Sequence, residues 1–143
     1  MARVTAREFQ ETIETGVVYY FSDPNIRSGE PHYCILLNDS PREEAFLIFV
    51  PATTLDIWSA ISAEKYPRET IVDLAPEECP FLHHPSLFNC NLPIVRHIDV
   101  LTAKAVSGAL KVKAKAPMTV VERLRAGVLA SRLVSGKVKK LLR

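Results

Sequence analysis

The sequence predicts an α+β domain built on a small, strongly curved antiparallel sheet or barrel with flanking helices. Two observations support this class. Short apolar runs alternate with turn-forming residues through most of the chain, and apolar residues recur at helical spacing near both ends. The length of 143 residues is enough for one hydrophobic core. Residues 1–143 are therefore expected to form a single domain.

The N-terminal segment carries the start and stop signals of a helix. Thr5 and Glu8 have the spacing of a capping box, in which each side chain satisfies a free backbone N–H group. Gly16 can end that helix, so the sequence predicts a helix over about residues 5–15. Apolar runs between turn residues then predict a series of strands and one long polar loop. The strands are Val17–Phe21, Tyr33–Asn38, Ala45–Val50, Glu69–Leu74 and Ser86–Asn91, and the loop is Ser22–Pro31.

The second and third predicted strands are almost continuously apolar, which indicates central positions with both faces buried. Pro51 follows the third strand and is expected to end it, since proline has no N–H group to donate to a ladder. Residues 54–66 place apolar side chains at helical spacing, with Thr53 or Thr54 as the N-cap. Trp58 on that helix is expected in the core, with stacking on a nucleic-acid base as the alternative.

The C-terminal part predicts a final helix and a basic tail, so the last segment is expected over about residues 117–143. Pro117 suits the first turn of the helix, and Gly136 is expected to separate the helix from the tail Lys137–Arg143. Residues 94–115, which precede this helix, fit either strand or turn.

Charge is divided unevenly along the chain. Residues 1–100 hold 7 Lys and Arg against 15 Asp and Glu, whereas residues 101–143 hold 11 Lys and Arg against one acid. This division indicates that the basic end, which includes Lys137, Lys139 and Lys140, binds a polyanion or an acidic protein segment. The alternative is a solvated basic helix that complements the acidic body of its own domain.

Composition and segment patterns exclude several classes of protein. Apolar residues make up 48% and charged residues 24% of the chain, which is typical of globular proteins and argues against wholesale disorder. No apolar stretch approaches the roughly 20 residues of a membrane-spanning helix, and the first residues lack the apolar segment of a secretory signal. Three cysteines are too few for a disulfide framework, so a cytoplasmic, reduced protein is expected.

Cysteines and histidines in the second half of the chain are candidate ligands for zinc, which such side chains bind in tetrahedral sites. They are Cys79, His83, His84, Cys90 and His97. Their spacing lacks a Cys-x2-Cys pair, and the cysteines can equally be small buried apolar residues. The favoured prediction therefore includes no metal and no cofactor.

Polar residues at the ends of the second and third predicted strands are the candidates for catalysis. His32 comes just before one strand and Thr53 just after the other, so antiparallel pairing would bring both to one edge. The loop carrying Arg27 would lie over that edge, and His84 with Ser86 is a further candidate pair. Imidazole transfers protons near neutral pH and guanidinium holds phosphate, which suits RNA cleavage by the 2′-hydroxyl. The alternatives are a surface histidine at His32 and a helix cap at Thr53.

Three segments resemble the opening of the PemK/MazF-like toxins of bacterial toxin–antitoxin pairs. They are GVVYYFSDP, PHYCILLND and AFLIFVPATT, and the last contains the family's Val-Pro-x-Thr-Ser/Thr pattern at Val50–Thr54. Further on, PFLHHPSLFNC resembles the Pro-Phe-x-x-His-x-Ser segment of a less characterised branch of this group. The likeness extends over roughly residues 16–135.

The resemblance implies an SH3-like barrel that forms a homodimer, cuts single-stranded RNA without a metal ion and is bound by an acidic antitoxin. The expected products are a 2′,3′-cyclic phosphate and a 5′-hydroxyl. The family's key threonine corresponds to Thr53, whereas its arginine at the start of the second strand is His32 here. Arg27 or a lysine of the C-terminal region would then supply the positive charge. The alternative function is a non-catalytic barrel that binds nucleic acid or an acidic protein segment.

Overall fold

The computed structural model of the chain describes residues 4–26 and 29–143. Over these residues the chain forms five α-helices and seven strands. The helices are α1 (Ala6–Glu11), α2 (Ile57–Ala63), α3 (Ile98–Ser107), α4 (Met118–Ala130) and α5 (Gly136–Lys140). The strands are β1 (Val17–Phe21), β2 (His32–Leu36), β3 (Phe46–Thr54), β4 (Ile71–Leu74), β5 (Ser86–Asn89), β6 (Ile94–His97) and β7 (Lys111–Lys115). Among the described helices, none is long and apolar enough to cross a membrane.

All seven strands belong to one antiparallel sheet. Its order is β4-β5-β3-β2-β1-β7, and β6 pairs with β3 alongside β5. The predicted α+β class with an antiparallel sheet is confirmed. The strands at the two ends of this order, β4 and β7, do not pair with each other in the described part of the chain, so closure into a barrel is not shown.

β3 is the longest strand and does not end at Pro51, so the predicted strand end was wrong. One edge of β3 pairs with β2, while its other edge pairs with β6 over residues 46–49 and with β5 over residues 52–54. Pro51 lies between these two stretches, where the partner on that edge changes. Because no ladder hydrogen bond is required from the nitrogen at this point, a proline can lie inside the strand.

The central positions predicted for the second and third strands are confirmed. Each residue from Cys34 to Leu37 and from Leu47 to Val50 is fully buried. Alternate side chains enter two separate hydrophobic cores, one on each face of the sheet. The first core contains Ile35, Leu37, Ile48 and Val50 and is covered by α4, whereas the second contains Cys34, Leu36, Leu47 and Phe49 and is covered by α1 and α3.

The register of β2 against β3 is fixed at the hairpin end by a buried asparagine. Asn38 donates from Nδ2 to the carbonyl of Phe46 at 3.0 Å, and its Oδ1 accepts from the backbone N–H of Ile48 at 2.7 Å. Arg125 of α4 donates from Nε to the carbonyl of Leu37 at 2.8 Å. Because a slip of one residue would turn every side chain to the other face, these bonds help to determine which residues meet at the opposite end.

The N-terminal helix has the predicted capping box, in which the Thr5 hydroxyl accepts from Glu8 N and the Glu8 carboxylate accepts from Thr5 N. It ends at Glu11, earlier than expected. Ile13 turns into the second core, and Gly16 adopts φ +90°.

The second helix begins later than predicted. Thr53 and Thr54 remain in β3, and Asp56 is the N-cap instead, with Ser59 completing a capping box. No residue of α2 is buried, and the Trp58 side chain is 76% exposed, so its expected core position was wrong.

The C-terminal region differs most from the expectation. Residues 94–115, which fitted strand or turn, contain β6, α3 and β7. The expected division of the final helix from a basic tail at Gly136 differs in detail: α4 ends at Ala130, and Gly136 begins a further helix, α5, behind the N-cap Ser135. The residues that follow pack on the domain: Leu142 is 5% exposed, and the Leu141 carbonyl accepts from Asp39 N at 2.9 Å.

We expect Gly127→Ala to lower the free energy of unfolding by about 1–3 kcal/mol, although alanine favours a helix by about 1 kcal/mol. A Cβ atom at Gly127 would lie 2.6 Å from the Cys90 Sγ atom and 2.9 Å from its Cβ atom. Urea unfolding measures the change. Gly136→Ala is the matched control, since no heavy atom lies within 4 Å of its added Cβ atom. Equal unfolding midpoints for the two variants would contradict the close packing of α4 on Cys90.

Candidate functional site

His32 and Thr53 are brought together at one edge of the sheet by the pairing of β2 with β3. Cys34 lies opposite Pro51, and the same register two residues further places His32 opposite Thr53. His32 Nδ1 is 2.7 Å from the carbonyl oxygen of Ala52. Because a carbonyl can only accept, Nδ1 is the donor, and Nε2 carries the lone pair of the neutral ring. The backbone of β3 therefore sets both the orientation and the tautomer of this histidine.

Both residues line a cleft of about 350 Å³, named here the His32 cleft. Its walls come from the loop after β1, from β5, and from α2 with the turn that follows it. Lys65 and Tyr66 contribute an ammonium and a phenol from that turn, and Asn89 contributes an amide from β5. Thr53 and Lys65 are exposed, so the mouth of the cleft is open to solvent. Such a set can exchange a proton, donate hydrogen bonds and hold an anion.

The amide of Asn89 is oriented by a buried polar network. Its Oδ1 accepts from Asn91 twice, from the backbone N–H at 3.0 Å and from Nδ2 at 2.9 Å. Asn91 also donates to Thr70 Oγ1 at 2.7 Å and accepts from Ser131 Oγ at 2.6 Å. Since its oxygen is held by Asn91, Asn89 has its NH₂ group to offer to a ligand.

Sequence reasoning missed Asn89, Lys65 and Tyr66 as members of the cleft. A signal for the first was present, because Asn89 is a polar residue that directly follows the apolar pair Leu87 and Phe88 at the end of β5. No pattern marks Lys65 or Tyr66, whose positions depend on how the turn after α2 folds back toward β5.

The loop between β1 and β2 is anchored beside the cleft by a buried ion pair. Asp23, 3% exposed, accepts from Arg96 Nη2 at 2.5 Å through Oδ1 and from Asn25 N at 2.9 Å through the same atom. These bonds hold Asn25 and Ile26 in the wall of the cleft. In the described part of the chain Oδ2 of Asp23 has no hydrogen-bond partner. The predicted catalytic residue Arg27 belongs to this loop and lies outside the described residues.

His84 and Ser86 line a second cleft, of about 230 Å³. It lies at the same edge as the His32 cleft but on the opposite face of the sheet. His32 borders both clefts, so the structure does bring the predicted pair close to it. The Ser86 hydroxyl is buried and donates to the His84 carbonyl at 3.0 Å, which secures the loop between them. The His84 ring is exposed.

The structure does not bring the predicted lysines to this edge. Lys137, Lys139 and Lys140 belong to α5, which packs where β2 ends, beside Asp39. His32 stands at the start of β2, so at least the length of that strand, roughly 17 Å at 3.3 Å per residue, separates the two places. Any ligand that contacts both must extend along the domain.

The zinc alternative finds no support in the arrangement of the candidate ligands. Among the described residues, no three His, Cys, Asp or Glu side chains are grouped so as to hold a metal ion. His97 caps α3 with its ring, and His83 lies beside the Tyr33 ring. Burial raises the pKa of Cys79 to about 11 and that of Cys90 to about 12. Both cysteines therefore behave as neutral, buried thiols.

Comparison with known proteins gives a structural relative. No family model matches the chain, and no curated protein matches its sequence. A solved structure of similar fold is an endoribonuclease in complex with its cognate antitoxin from Mycobacterial species. The two chains align with a TM-score of 0.54 at 14% sequence identity, over 84% of this chain and 94% of the other. The similarity shows a shared fold.

We expect all three cysteines to resist a thiol-specific reagent near pH 8 in the folded protein. Burial is the main cause of the raised pKa of Cys34, Cys79 and Cys90, and the Asp23 carboxylate also raises that of Cys34. Labelling followed by mass spectrometry should show modification only after unfolding in urea. Ser107→Cys, at an exposed position, serves as the reactive control. Rapid labelling of the native wild-type chain would contradict this assignment.

Proposed function

We propose that this protein is a toxin-like endoribonuclease that cuts single-stranded RNA in the His32 cleft without a metal ion. The observation that carries the proposal is the meeting of His32 and Thr53 in one cleft, with the imidazole tautomer set by the Ala52 carbonyl. The shared fold with an endoribonuclease supports the same activity. So do the motifs that resemble the PemK/MazF-like toxins, and with them an SH3-like barrel as the underlying architecture.

In the proposed reaction the RNA itself supplies the nucleophile. His32 Nε2 takes the proton of a ribose 2′-hydroxyl, and the 2′-oxygen attacks the adjacent phosphorus. The bond from phosphorus to the 5′-oxygen breaks, and that oxygen takes up a proton from solvent at the open mouth. The products are a 2′,3′-cyclic phosphate and a 5′-hydroxyl. The Thr53 hydroxyl, the Asn89 amide and Lys65 are the donors for the negative charge that builds on the phosphoryl oxygens, with Arg27 in support.

The test is to incubate purified protein with a long single-stranded RNA in EDTA and to map the ends produced. We expect discrete cuts with 5′-hydroxyl ends. His32→Ala should slow cutting by about 10²–10⁴-fold, the usual contribution of a general base. Thr53→Ala should slow it by about 10²-fold or more, as for a lost oxyanion donor.

Two matched variants control for unrelated effects. His97→Asn replaces a histidine remote from the clefts by a residue that can still cap α3. Thr119→Ala replaces an exposed threonine on α4. Both should cut like wild type. The proposal fails if wild-type protein leaves RNA intact at high concentration, or if the double variant of His32 and Thr53 cuts at the wild-type rate.

A second candidate function is a non-catalytic module that binds nucleic acid or an acidic protein segment. The observation that favours it is the low charge of the His32 cleft, where Lys65 is the single Lys or Arg among the described lining residues. Binding would then rely on charges elsewhere, such as those of α5. RNA that stays intact yet remains bound would select this function.

Neutralising α5 tests that second candidate directly. If Lys137, Lys139 and Lys140 contact phosphates, changing all three to Gln should reduce the slope of log affinity against log salt by about 2 for single-stranded RNA. Fluorescence anisotropy over a salt series measures the slope. Lys104→Gln, on α3 and outside both clefts, is the control that separates α5 from other lysines. An unchanged slope for the triple variant would exclude α5 from the RNA path.

We further propose an antitoxin partner and a homodimer as the assemblies of this chain. The structural relative was solved with its cognate antitoxin. In this chain the exposed apolar side chains of Ile57, Trp58 and Ile61 form one face of α2, beside the His32 cleft. A protein segment covering that face would obstruct access to the cleft, which suits an inhibitor. Light scattering of the chain alone measures whether it is a dimer.

A further inference from the structure

A row of aromatic side chains lies on the face of the sheet opposite the His32 cleft. The Tyr20 and Tyr33 rings, on β1 and β2, have centroids 5.0 Å apart at an interplanar angle of 49°. Phe81 continues the row at 5.5 Å from Tyr33, and the His83 ring lies 6.4 Å from Tyr33. The rings are tilted against one another and are not stacked face to face. Tyr20, Tyr33 and His83 also line the second cleft. We refer to these four residues as the aromatic row.

Positive charge lies at the β7 end of the aromatic row. The Lys113 ammonium is 5.7 Å from the centroid of the Tyr20 ring, at a β-bulge between β1 and β7. Lys111, which is also on β7, lies opposite Tyr20 of β1 and is exposed. β7 is the last strand of the sheet order, so these side chains stand at an open edge. A ligand that extends from the aromatic row toward β7 would therefore contact the ammonium groups of Lys111 and Lys113.

The other end of the aromatic row reaches the proposed cleavage site. The second cleft contains Tyr20, Tyr33 and His83 together with His32, which also borders the His32 cleft. The two clefts occupy opposite faces of the sheet at the edge where β2 begins. A flexible chain that passes over this edge can therefore place one unit on the aromatic row and the next beside His32.

We infer that the aromatic row is a base-stacking subsite for a nucleotide of single-stranded RNA next to the cleaved bond, with Lys111 and Lys113 holding its phosphates. This inference rests on the proposed function. Aromatic rings next to lysines are the combination that binds unpaired bases without sequence preference, because every base has a π-face. A duplex hides those faces, so the row selects single strands.

An acidic protein segment fits this surface less well than RNA. The aromatic row offers ring faces on which a base can stack, whereas Asp and Glu side chains have no ring to place there. The phosphates of the RNA would lie at the β7 edge, beside Lys111 and Lys113.

The experiment uses a fluorescently labelled 2′-O-methylated oligoadenylate, which cannot be cut because its 2′-oxygens are blocked. Anisotropy measures its affinity for wild type, Tyr20→Phe and Tyr20→Leu. We expect Tyr20→Leu to bind about tenfold more weakly and Tyr20→Phe to keep its affinity, since stacking needs the ring and not the hydroxyl. Lys113→Gln should reduce the salt slope by about 0.7. Phe46→Leu, at an exposed ring on a remote part of β3, is the matched control and should bind like wild type.

A second probe ties the loss to a single base. Replacing successive nucleotides by abasic ones should weaken binding to wild type at one position, and there the difference between wild type and Tyr20→Leu should disappear. His83→Ala, at an exposed loop position, should weaken binding about threefold or more and keeps the test valid if Tyr20→Leu does not fold. Equal affinity of wild type, Tyr20→Leu and His83→Ala would overturn the inference.

Other outcomes separate this inference from the proposed function. If RNA is not cut but Tyr20→Leu still weakens oligoadenylate binding, the aromatic row binds single-stranded RNA, whereas the ribonuclease proposal and the position of the row beside a cleaved bond both fail. If RNA is cut and no row variant changes binding, the ribonuclease proposal stands and the subsite fails. If a glutamate-rich peptide binds through Tyr20 while oligoadenylate does not, the row is a protein contact and the inference is wrong.

Discussion

The pairing of β3 with three other strands is the constraint on which the rest of this structure depends. Its one edge follows β2 while its other edge passes from β6 to β5 at Pro51. That change of partner brings β5, and with it Asn89, to the edge where β2 begins. The same strand supplies Thr53 and the Ala52 carbonyl that orients His32. A strand that stopped at Val50 would leave the histidine without its acceptor and the cleft without one wall.

The sequence predicts this scaffold well where local rules are sufficient. Alternating turn and apolar segments located β1 to its residues, and unbroken apolar runs indicated that β2 and β3 are central. The placement of His32 and Thr53 at one edge follows from antiparallel pairing alone. Such features depend on neighbours in the chain or on one strand pair, and the pattern of residues records both.

The misses come from partners far away in the chain. Proline is compatible with this position of β3 because the partner on that edge changes there from β6 to β5. Since β5 lies more than thirty residues further along the chain, the sequence around Pro51 does not reveal this change. The N-cap of α3 is His97, whose ring nitrogen accepts from Asp99 N, so this helix lacks the usual Ser, Thr, Asp or Asn signal. Gly108 at φ +88°, where α3 ends, was the one conventional mark of this helix.

Ion pairs with the rest of the domain explain part of the excess positive charge in the C-terminal region. Lys115 pairs with Glu14 at 2.6 Å, and Arg123 with Glu78 at 3.6 Å, so the basic C-terminal region contacts the acidic body of the domain. Exposed pairs of this kind contribute little to stability because solvent screens them, so they do not explain the presence of eleven basic residues. Among the described residues, the lysines of α5 and Lys111 and Lys113 at the β7 edge form no ion pair, and these two groups lie on separate parts of the surface. A polyanion fits that distribution better than a compact ligand, because an extended chain can follow the surface from the aromatic row toward either basic patch.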